Sequence, residues 1–592
     1  MESEQRTCQN CKTEFVIEPA DFSFYEKIKV PAPTFCQECR FQRRIAWRNE
    51  RSLYKRKCDL CNNEVISIYH AQSPSRMYCQ DCWWSDKWDP FSFGRNYDFS
   101  RPFFEQFREL VLSVPQMSLI NKQAVNSPYC HSTVGNKNCY MIFGGDYNEN
   151  CLYSTFNFYT KDSSDLYWVF KSERSYELVD SRGCFNVVFG QHIESCFDSR
   201  FLYDCRNCNN CFGCVGLRNK SYYIFNKPLT KKEYHEKLKE FDSTSYAEAQ
   251  KILTEFRELV LRHPHKYAII EHSKNCTGNQ IINSKNCYKC FDMENEIEDN
   301  RYVWLAFGGP KDINSVCHIS GGSELCYDSC SIVDDARILF SKKIWNQSRD
   351  VYYSYNCHNV SNIFGCVSLR NKQYCIFNKQ YTKQEYEDLV SKIKHHMDEM
   401  PYVDKSGRVY KYGEFFPTEI SPFTYNETVA QEYFPMTKDT AQKAGYRWKE
   451  QEAKNYQITV TSDRIPDRLK DIPDSITSEV IGCAHEGKCT EQCTFAFRII
   501  PQELAFYRAM NLPIPHLCSN CRHYQRIKQR NPLKLWHRKC TCAGTKSDNC
   551  VYQNTATHRH GQNHCLEEFE TSYASDRPEI VYCEDCYQSE VV

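Results

Sequence analysis

The sequence predicts a multidomain α+β chain. A module of paired cysteines stands at each end, flanking two tandem β-rich repeats that are compatible with a coiled β-solenoid and are each bracketed by helices. Three observations predict it. CxxC pairs recur near both termini at matched intervals, and two strings in the middle occur twice. The tracts between those strings break into short Tyr-, Phe-, Asn-, Ser- and Cys-rich units bounded by turn residues. At 592 residues the chain is also too long for one ordinary core.

The N-terminal pairs are Cys8/Cys11, Cys36/Cys39, Cys58/Cys61 and Cys79/Cys82; the C-terminal ones are Cys489/Cys493, Cys518/Cys521, Cys540/Cys542 and Cys583/Cys586. Twenty-four residues separate Cys11 from Cys36 and Cys493 from Cys518, and eighteen separate Cys39 from Cys58 and Cys521 from Cys540. Pro19, Tyr25, Pro31 and Pro33 are answered by Pro501, Tyr507, Pro513 and Pro515. Residues 1–95 and 481–592 therefore read as two copies of one two-site module. The second carries a longer insert, 543–582, with Cys550, Cys565 and several histidines.

The middle is duplicated too. FRELVL occurs at 107–112 and 256–261, and GCVGLRNKSYYIFNK (213–227) returns as GCVSLRNKQYCIFNK (365–379). Each long string is followed by a capping-box signature that opens a helix, Thr230 to Glu233 and Thr382 to Glu385. This gives a repeat unit A over 99–242, a repeat unit B over 245–397, and a connector over 398–480 with a short helix around 437–455. In the tract 127–227, intervals near 9 and near 12 alternate, or roughly two strands per 21 residues. A twisted antiparallel sheet is the alternative to a solenoid.

Thirty-seven cysteines in a chain with no apolar leader and no bilayer-spanning run do not resemble the disulfide framework of a small secreted domain. The expectation is a cytoplasmic protein without a membrane partner, whose cysteines are metal ligands and small buried hydrophobes. A CxxC turn supplies two thiolates from one knuckle, and two knuckles complete the tetrahedral set that zinc takes. Sequential pairing assigns Cys8, Cys11, Cys36 and Cys39 to one site and Cys58, Cys61, Cys79 and Cys82 to a second. Cys489, Cys493, Cys518 and Cys521 make a third, and Cys540, Cys542, Cys583 and Cys586 a fourth. About four zinc ions are expected. With no His or carboxylate in these sets and no position left for water, their role is structural rather than catalytic.

The segment CQNCKTEFVIEPADFSFYEKIKVPAPTFCQECR (8–40) resembles the zinc-ribbon, treble-clef-like module of small bacterial proteins. With its duplicated ribbon, LRNKxYxIFNK strings and closing EIVYCEDCYQ, the whole chain resembles the large zinc-ribbon proteins of candidate-phylum bacteria. The resemblance implies metal ligation at Cys8, Cys11, Cys36 and Cys39, and implies no activity.

Cys205, Cys208, Cys211 and Cys214 form CxxCxxCxxC, a pattern shared with iron–sulfur and zinc sites. Their repeat equivalents at 357, 360, 363 and 366 are Cys, Val, Ile and Cys. A ligand cannot be Val in a sister copy that does the same job, so these positions read as core. The LRNK strings read as turns rather than phosphate-binding elements.

Charge balances globally, 75 basic against 75 acidic residues, but not locally. Residues 39–58 hold eight Lys and Arg and one acid, and residues 521–540 hold seven and none. Arg40, Arg44 and Arg48 share one helical face, matched by Arg522, Arg526 and Arg530. Three like charges in a row repel one another, and a phosphate backbone would relieve them. Trp47, Tyr54, Tyr524 and Trp536 offer faces for unpaired bases. The leading expectation is therefore a zinc-stabilised nucleic-acid-binding protein without enzymatic activity, with RNA favoured over DNA. The first alternative is a protein-interaction scaffold built on the β-rich repeats. The second is a glycan-active solenoid enzyme, for which only the matched acids Asp198 and Asp350 speak.

Overall fold

The computed structural model describes residues 2–450 and 456–592. The chain divides into two units. Unit 1 comprises residues 1–119, 268–450 and 533–535; unit 2 comprises 120–267, 451–532 and 536–592. Each therefore joins a terminal cysteine module to the β-rich tract from the other repeat. This differs from the contiguous division read from the repeats. The Phe103–Ser113 helix, which carries the first FRELVL string, packs in unit 1 against the second tract, with Phe103 edge-on to Tyr353 and Phe364. The Tyr246–Leu261 helix, which carries the second string, packs in unit 2 against the first tract, where Phe256 meets Phe201.

Both tracts are β-solenoids. In the first, Tyr167 lies opposite Thr155 on one side and Val179 on the other, all in parallel register, so one turn takes twelve residues. From Ser132 to Phe225 every third residue has a positive φ. Twelve residues with a left-handed residue every third make four corners per turn. The intervals of 9 and 12 in the sequence are multiples of this three-residue period, and the expected two strands per 21 residues is corrected to it.

A left-handed conformation costs an L-residue roughly 1–2 kcal/mol, and few of these corners are glycine. Contacts between turns offset the cost. Asn126, Asn138, Asn150 and Asp162 occupy one corner on successive turns and are joined by side-chain hydrogen bonds of 3.1, 3.2 and 2.7 Å. At another corner, Phe189 and Phe201 stack at 4.9 Å. Asp198 and Asp350 belong to the same scheme, accepting from Asn186 and Arg337 one turn earlier (2.7 and 2.8 Å).

The residue after each corner points inward. Leu166, Val169, Leu178, Cys184, Val187, Ile193, Cys196 and Leu202 all fall on this phase, as do Cys205, Cys208, Cys211 and Cys214. A side only three residues long leaves a narrow bore, which suits small side chains. Buried serines suit it as well, because Ser154, Ser163 and Ser172 accept the amide hydrogens of Leu166, Ser175 and Cys184 on the next turn (3.0–3.1 Å). The CxxCxxCxxC string is thus one turn of core, as are Cys357, Val360, Ile363 and Cys366 in the second solenoid.

That solenoid repeatedly lengthens a turn to thirteen residues, for example where Phe291 faces Trp304 and Asn314 faces Tyr327. Each extra residue shifts the inward phase by one. Cys317 and Cys330, on neighbouring turns, are joined as a disulfide, a use of cysteine outside the two expected classes. Capping boxes open the Lys231–Leu238 and Lys383–Glu399 helices at Thr230 and Thr382. The helix expected around 437–455 spans Lys438–Lys443, while residues 451–455 lie outside the described residues. Among the described residues, no helix is long and apolar enough to cross a membrane.

Candidate metal centres and docking arginines

Each terminal module contains two sites built alike. A short antiparallel hairpin supplies two cysteines from its turn, and the first turn of a following helix supplies two more. The hairpins end on the pairs Thr7/Glu14, Lys57/Glu64, Gly482/Ala496 and Lys539/Glu568. In every case a cysteine follows the outgoing strand and another stands three residues before the return pair: Cys8 and Cys11, Cys58 and Cys61, Cys483 and Cys493, Cys540 and Cys565. One backbone bond closes all four turns, from the amide of Cys8, Cys58, Cys483 or Cys540 to the carbonyl just before the return strand (2.8–2.9 Å).

The helical pairs begin at Cys36, Cys79, Cys518 and Cys583, each the N-cap of its helix. There the positive end of the helix dipole favours a thiolate. Each N-cap amide also donates to the first hairpin sulfur, at 3.2–3.3 Å.

These hairpins bring together Cys8, Cys11, Cys36 and Cys39; Cys58, Cys61, Cys79 and Cys82; Cys483, Cys493, Cys518 and Cys521; and Cys540, Cys565, Cys583 and Cys586, each set with its sulfurs within 4.8 Å of one another. Sulfurs bound tetrahedrally about 2.3 Å from one ion stand roughly 3.8 Å apart. Observed separations are 3.6 Å for Cys11–Cys36, 3.9 Å for Cys61–Cys79, 3.9 Å for Cys483–Cys521 and 3.8 Å for Cys565–Cys583. All four clusters can hold a metal ion.

Their thiols do not ionise independently. Hydrogen bonds from Cys36 and Cys39 hold the Cys8 thiol far below its ordinary range, while crowding by Cys39 and Cys8 pushes Cys36 up. Burial raises Cys58, but backbone amides outweigh it and bring it to about 7. A cation at the centre is what lets all four sulfurs carry charge.

Two of the expected groupings differ from the four-cysteine clusters the structure brings together, with Cys542 placed in a separate candidate group. Cys489 gives way to Cys483 in the third set, and Cys542 to Cys565 in the fourth. The reason is strand register. Both C-terminal hairpin turns are enlarged, so the cysteines nearest in sequence are not those placed at the hairpin ends. Cys489 sits half-buried beside the cluster, 3.7 Å from Cys521. Cys483→Ser should therefore remove one equivalent of bound metal and Cys489→Ser should leave it, as read by metal analysis of the purified variants.

The arginine rows are placed just as specifically, and not at a surface. In unit 1 the Gln37–Ile45 helix lies against the second solenoid, and Arg40, Arg44 and Arg48 are 3%, 0% and 1% exposed. Arg40 donates to Tyr327 Oη (3.0 Å), Arg44 pairs with Asp328, and Arg48 donates to Glu50 (2.9 Å). Arg43, from the same helix, bridges Asp328 and Glu414 (3.3 and 3.0 Å).

In unit 2 the Ser519–Gln529 helix repeats the arrangement on the first solenoid. Arg522 pairs with Asp165 and Glu503 (3.1 and 3.3 Å), Arg526 with Asp165 and Glu177 (2.7 and 2.9 Å), and Arg530 with Asp180 (2.8 Å). Burial would push Asp165 up, but Arg522 and Arg526 together hold it below the ordinary carboxylate range. Glu177, dominated by burial, rises to about 7. Burial likewise lowers Arg44 to about 10 against the pull of Asp328.

The nucleic-acid-binding role read for Arg40, Arg44, Arg48, Arg522, Arg526 and Arg530 meets no exposed row here: solenoid carboxylates take Arg44, Arg522, Arg526 and Arg530, Tyr327 takes Arg40, and Glu50 of the same module takes Arg48. Trp47 is internal as well, fully buried against Phe416 at 4.7 Å in the unit 1 core. The acids were legible only in part. Pro19/Asp21 and Pro501/Glu503 recur in the two modules, and Asp21 accepts from Arg301 (2.7 Å) much as Glu503 accepts from Arg522. Asp165 and Asp328, however, do not stand at the offset of the repeated LRNK string.

Unit 2 also holds a cavity of about 570 Å³ beside the Tyr246–Leu261 helix. Glu177, Arg522 and Glu579 on its wall are engaged with Arg526, Asp165 and Arg577. Compared with known proteins, the chain matches no protein-family model and no curated protein sequence.

Proposed function

We propose that the chain is a zinc-stabilised protein-interaction scaffold, with the outer faces of its solenoids as the binding surface. Zinc is the metal that an all-thiolate, closed, four-coordinate donor set on CxxC-type knuckles fits best. The observation that carries the interaction reading is an aromatic ladder on the outside of the first solenoid. Tyr147 and Tyr159 are 51% and 59% exposed and stack at 5.3 Å; Phe158 and Phe170 stack beside them at 5.1 Å. Phe185 and Phe197, in direct register on adjacent turns, are 39% and 41% exposed. Exposed aromatics arrayed on a rigid lattice are the usual substance of protein interfaces. The basic rows that favoured a polyanion are withdrawn into ion pairs, which weakens that partner class.

The test is affinity capture with the intact chain after nuclease treatment and in high salt, comparing wild type with a variant carrying Tyr147→Ser, Tyr159→Ser, Phe185→Ser and Phe197→Ser. The proposal expects specific polypeptide partners that survive both treatments and are lost in the variant. Capture that the variant retains, or that nuclease and salt abolish, overturns it.

A further inference from the structure

The fourth cysteine cluster has a second candidate group of ligands beside it. Cys542, displaced from the hairpin set, lies with His558, His560 and Cys586, one ligand atom from each within 4.8 Å of the others. Cys586 belongs to both groups. Cys542, His558 and Cys586 are buried and His560 is half-buried. His558 and His560 come from the insert 543–582 that distinguishes this module from its N-terminal sister.

The surroundings are those of a built site. Nε2 of His558 is held 2.9 Å from a Glu590 carboxylate oxygen, which leaves Nδ1 buried and without a partner. The Glu590 side chain is itself fully buried. It is fixed by the amide and hydroxyl of Thr555 (2.8 and 2.9 Å), the amide of Ala556 (3.1 Å) and Tyr552 Oη (3.1 Å). A carboxylate that orients one imidazole nitrogen while the other faces a cluster of ligands is the standard support of a metal-bound histidine. On His560 the roles of the nitrogens are reversed: Nδ1 meets the carbonyl of Asn563 at 2.7 Å, and Nε2 lies 3.2 Å from Cys586 Sγ. Asn554 donates to Cys542 Sγ at 3.2 Å and is itself positioned by Tyr582 Oη at 2.7 Å. What sets this orphan imidazole nitrogen apart is that it stands within a group of candidate ligands with a second shell already in place.

We infer that the C-terminal module holds a binuclear centre. One zinc-like ion takes Cys540, Cys565, Cys583 and Cys586; a second takes Cys542, His558 Nδ1, His560 Nε2 and the same Cys586 thiolate, which bridges the pair. Seven side chains then give two ions four ligands each, a closed S4 site beside a closed S2N2 site. The bridging thiolate reduces the negative charge that four separate sulfurs would place on the first ion. The insert is what converts the mononuclear site of the N-terminal module into this pair.

The inference rests on the metal reading of the cysteine clusters, and its failure is distinguishable from theirs. Metal content of the full chain is measured after reconstitution with zinc alone, and the chain is then loaded with ¹¹³Cd for NMR. Five ions per chain are expected, with one cadmium resonance at the position of mixed sulfur–nitrogen ligation and coupled to an all-sulfur neighbour through the shared thiolate. His558→Gln with His560→Gln should remove that one resonance and one ion and leave the four all-sulfur resonances. As a milder variant, Glu590→Gln should weaken the fifth ion alone. Four ions in wild type, with content unchanged in the histidine variant, overturn the binuclear centre and leave the mononuclear clusters standing. No bound metal at all overturns both.

Discussion

Replacing Asp328 by Ala should lower the stability of unit 1 by about 3–5 kcal/mol, the cost of leaving buried guanidinium groups without their partner. Asp328 is fully buried and holds Arg43 and Arg44 together. Loss of its carboxylate strands Arg44 at the seam between the Gln37–Ile45 helix and the solenoid and leaves Arg43 with Glu414 alone. Asp165→Ala should act in the same direction but less strongly in unit 2, where Arg522 and Arg526 share that carboxylate yet keep Glu503 and Glu177. Chemical denaturation with the metals retained measures both. Exposed pairs give the contrast: removing Glu149, which meets Lys137 at 3.0 Å in solvent, should change stability by less than about 1 kcal/mol. The acid response follows with a definite sign. Because Asp165 is depressed in the folded chain, its contribution is full above the ordinary carboxylate range and is lost as pH falls toward its folded value.

Metal removal should have the second large effect. The cysteine hairpins have little secondary structure of their own: each pairs only two to four residues per strand, and the Gln80–Trp84 helix has five residues. Structural zinc contributes on the order of 10–16 kcal/mol of apparent binding free energy in small zinc modules. A chelator, or Cys36→Ser and Cys518→Ser together, should therefore unfold the modules. Since the arginine-bearing helices begin at Cys36 and Cys518, ion pairs on the solenoids should go with them. The solenoids keep their own cores and should retain most of their β-signal in circular dichroism, with lowered thermal stability.

Much of this was legible in the sequence. The matched CxxC intervals pointed to fourteen of the sixteen cysteines that the structure gathers into the four hairpin-and-helix clusters. The two that were missed lie where a turn is enlarged, so proximity in sequence misleads and strand register decides. The strings CKTEF, CNNEV, CTFAF and CLEEF, which begin at Cys11, Cys61, Cys493 and Cys565, carry that register and would have identified Cys565. The sister copy correctly argued Cys205, Cys208, Cys211 and Cys214 into the core. The solenoid's true period was hidden because its corners are occupied by Tyr, Phe, Trp and Lys as well as Asn and Gly, so no turn residue marks them. The arginine face was read rightly as needing anions. Apart from Glu50 and Glu503, its acidic partners lie 284 to 371 residues away along the chain, and a local charge count cannot reveal a long-range pair. Nor could the repeats show that each module joins the solenoid of the other repeat, since that choice rests on tertiary packing.

Arginines withdrawn from solvent hold the cysteine modules against the solenoids. Arginine-specific labelling with phenylglyoxal, read by mass spectrometry on the metal-loaded chain and again after chelation, tests it most directly. Arg40, Arg44, Arg48, Arg522, Arg526 and Arg530 should resist modification while Arg262 and Arg559, with side chains 64% and 61% exposed, react at once, and chelation should expose all six. Reaction of those six at the rate of Arg559 while the metal is still bound would contradict it.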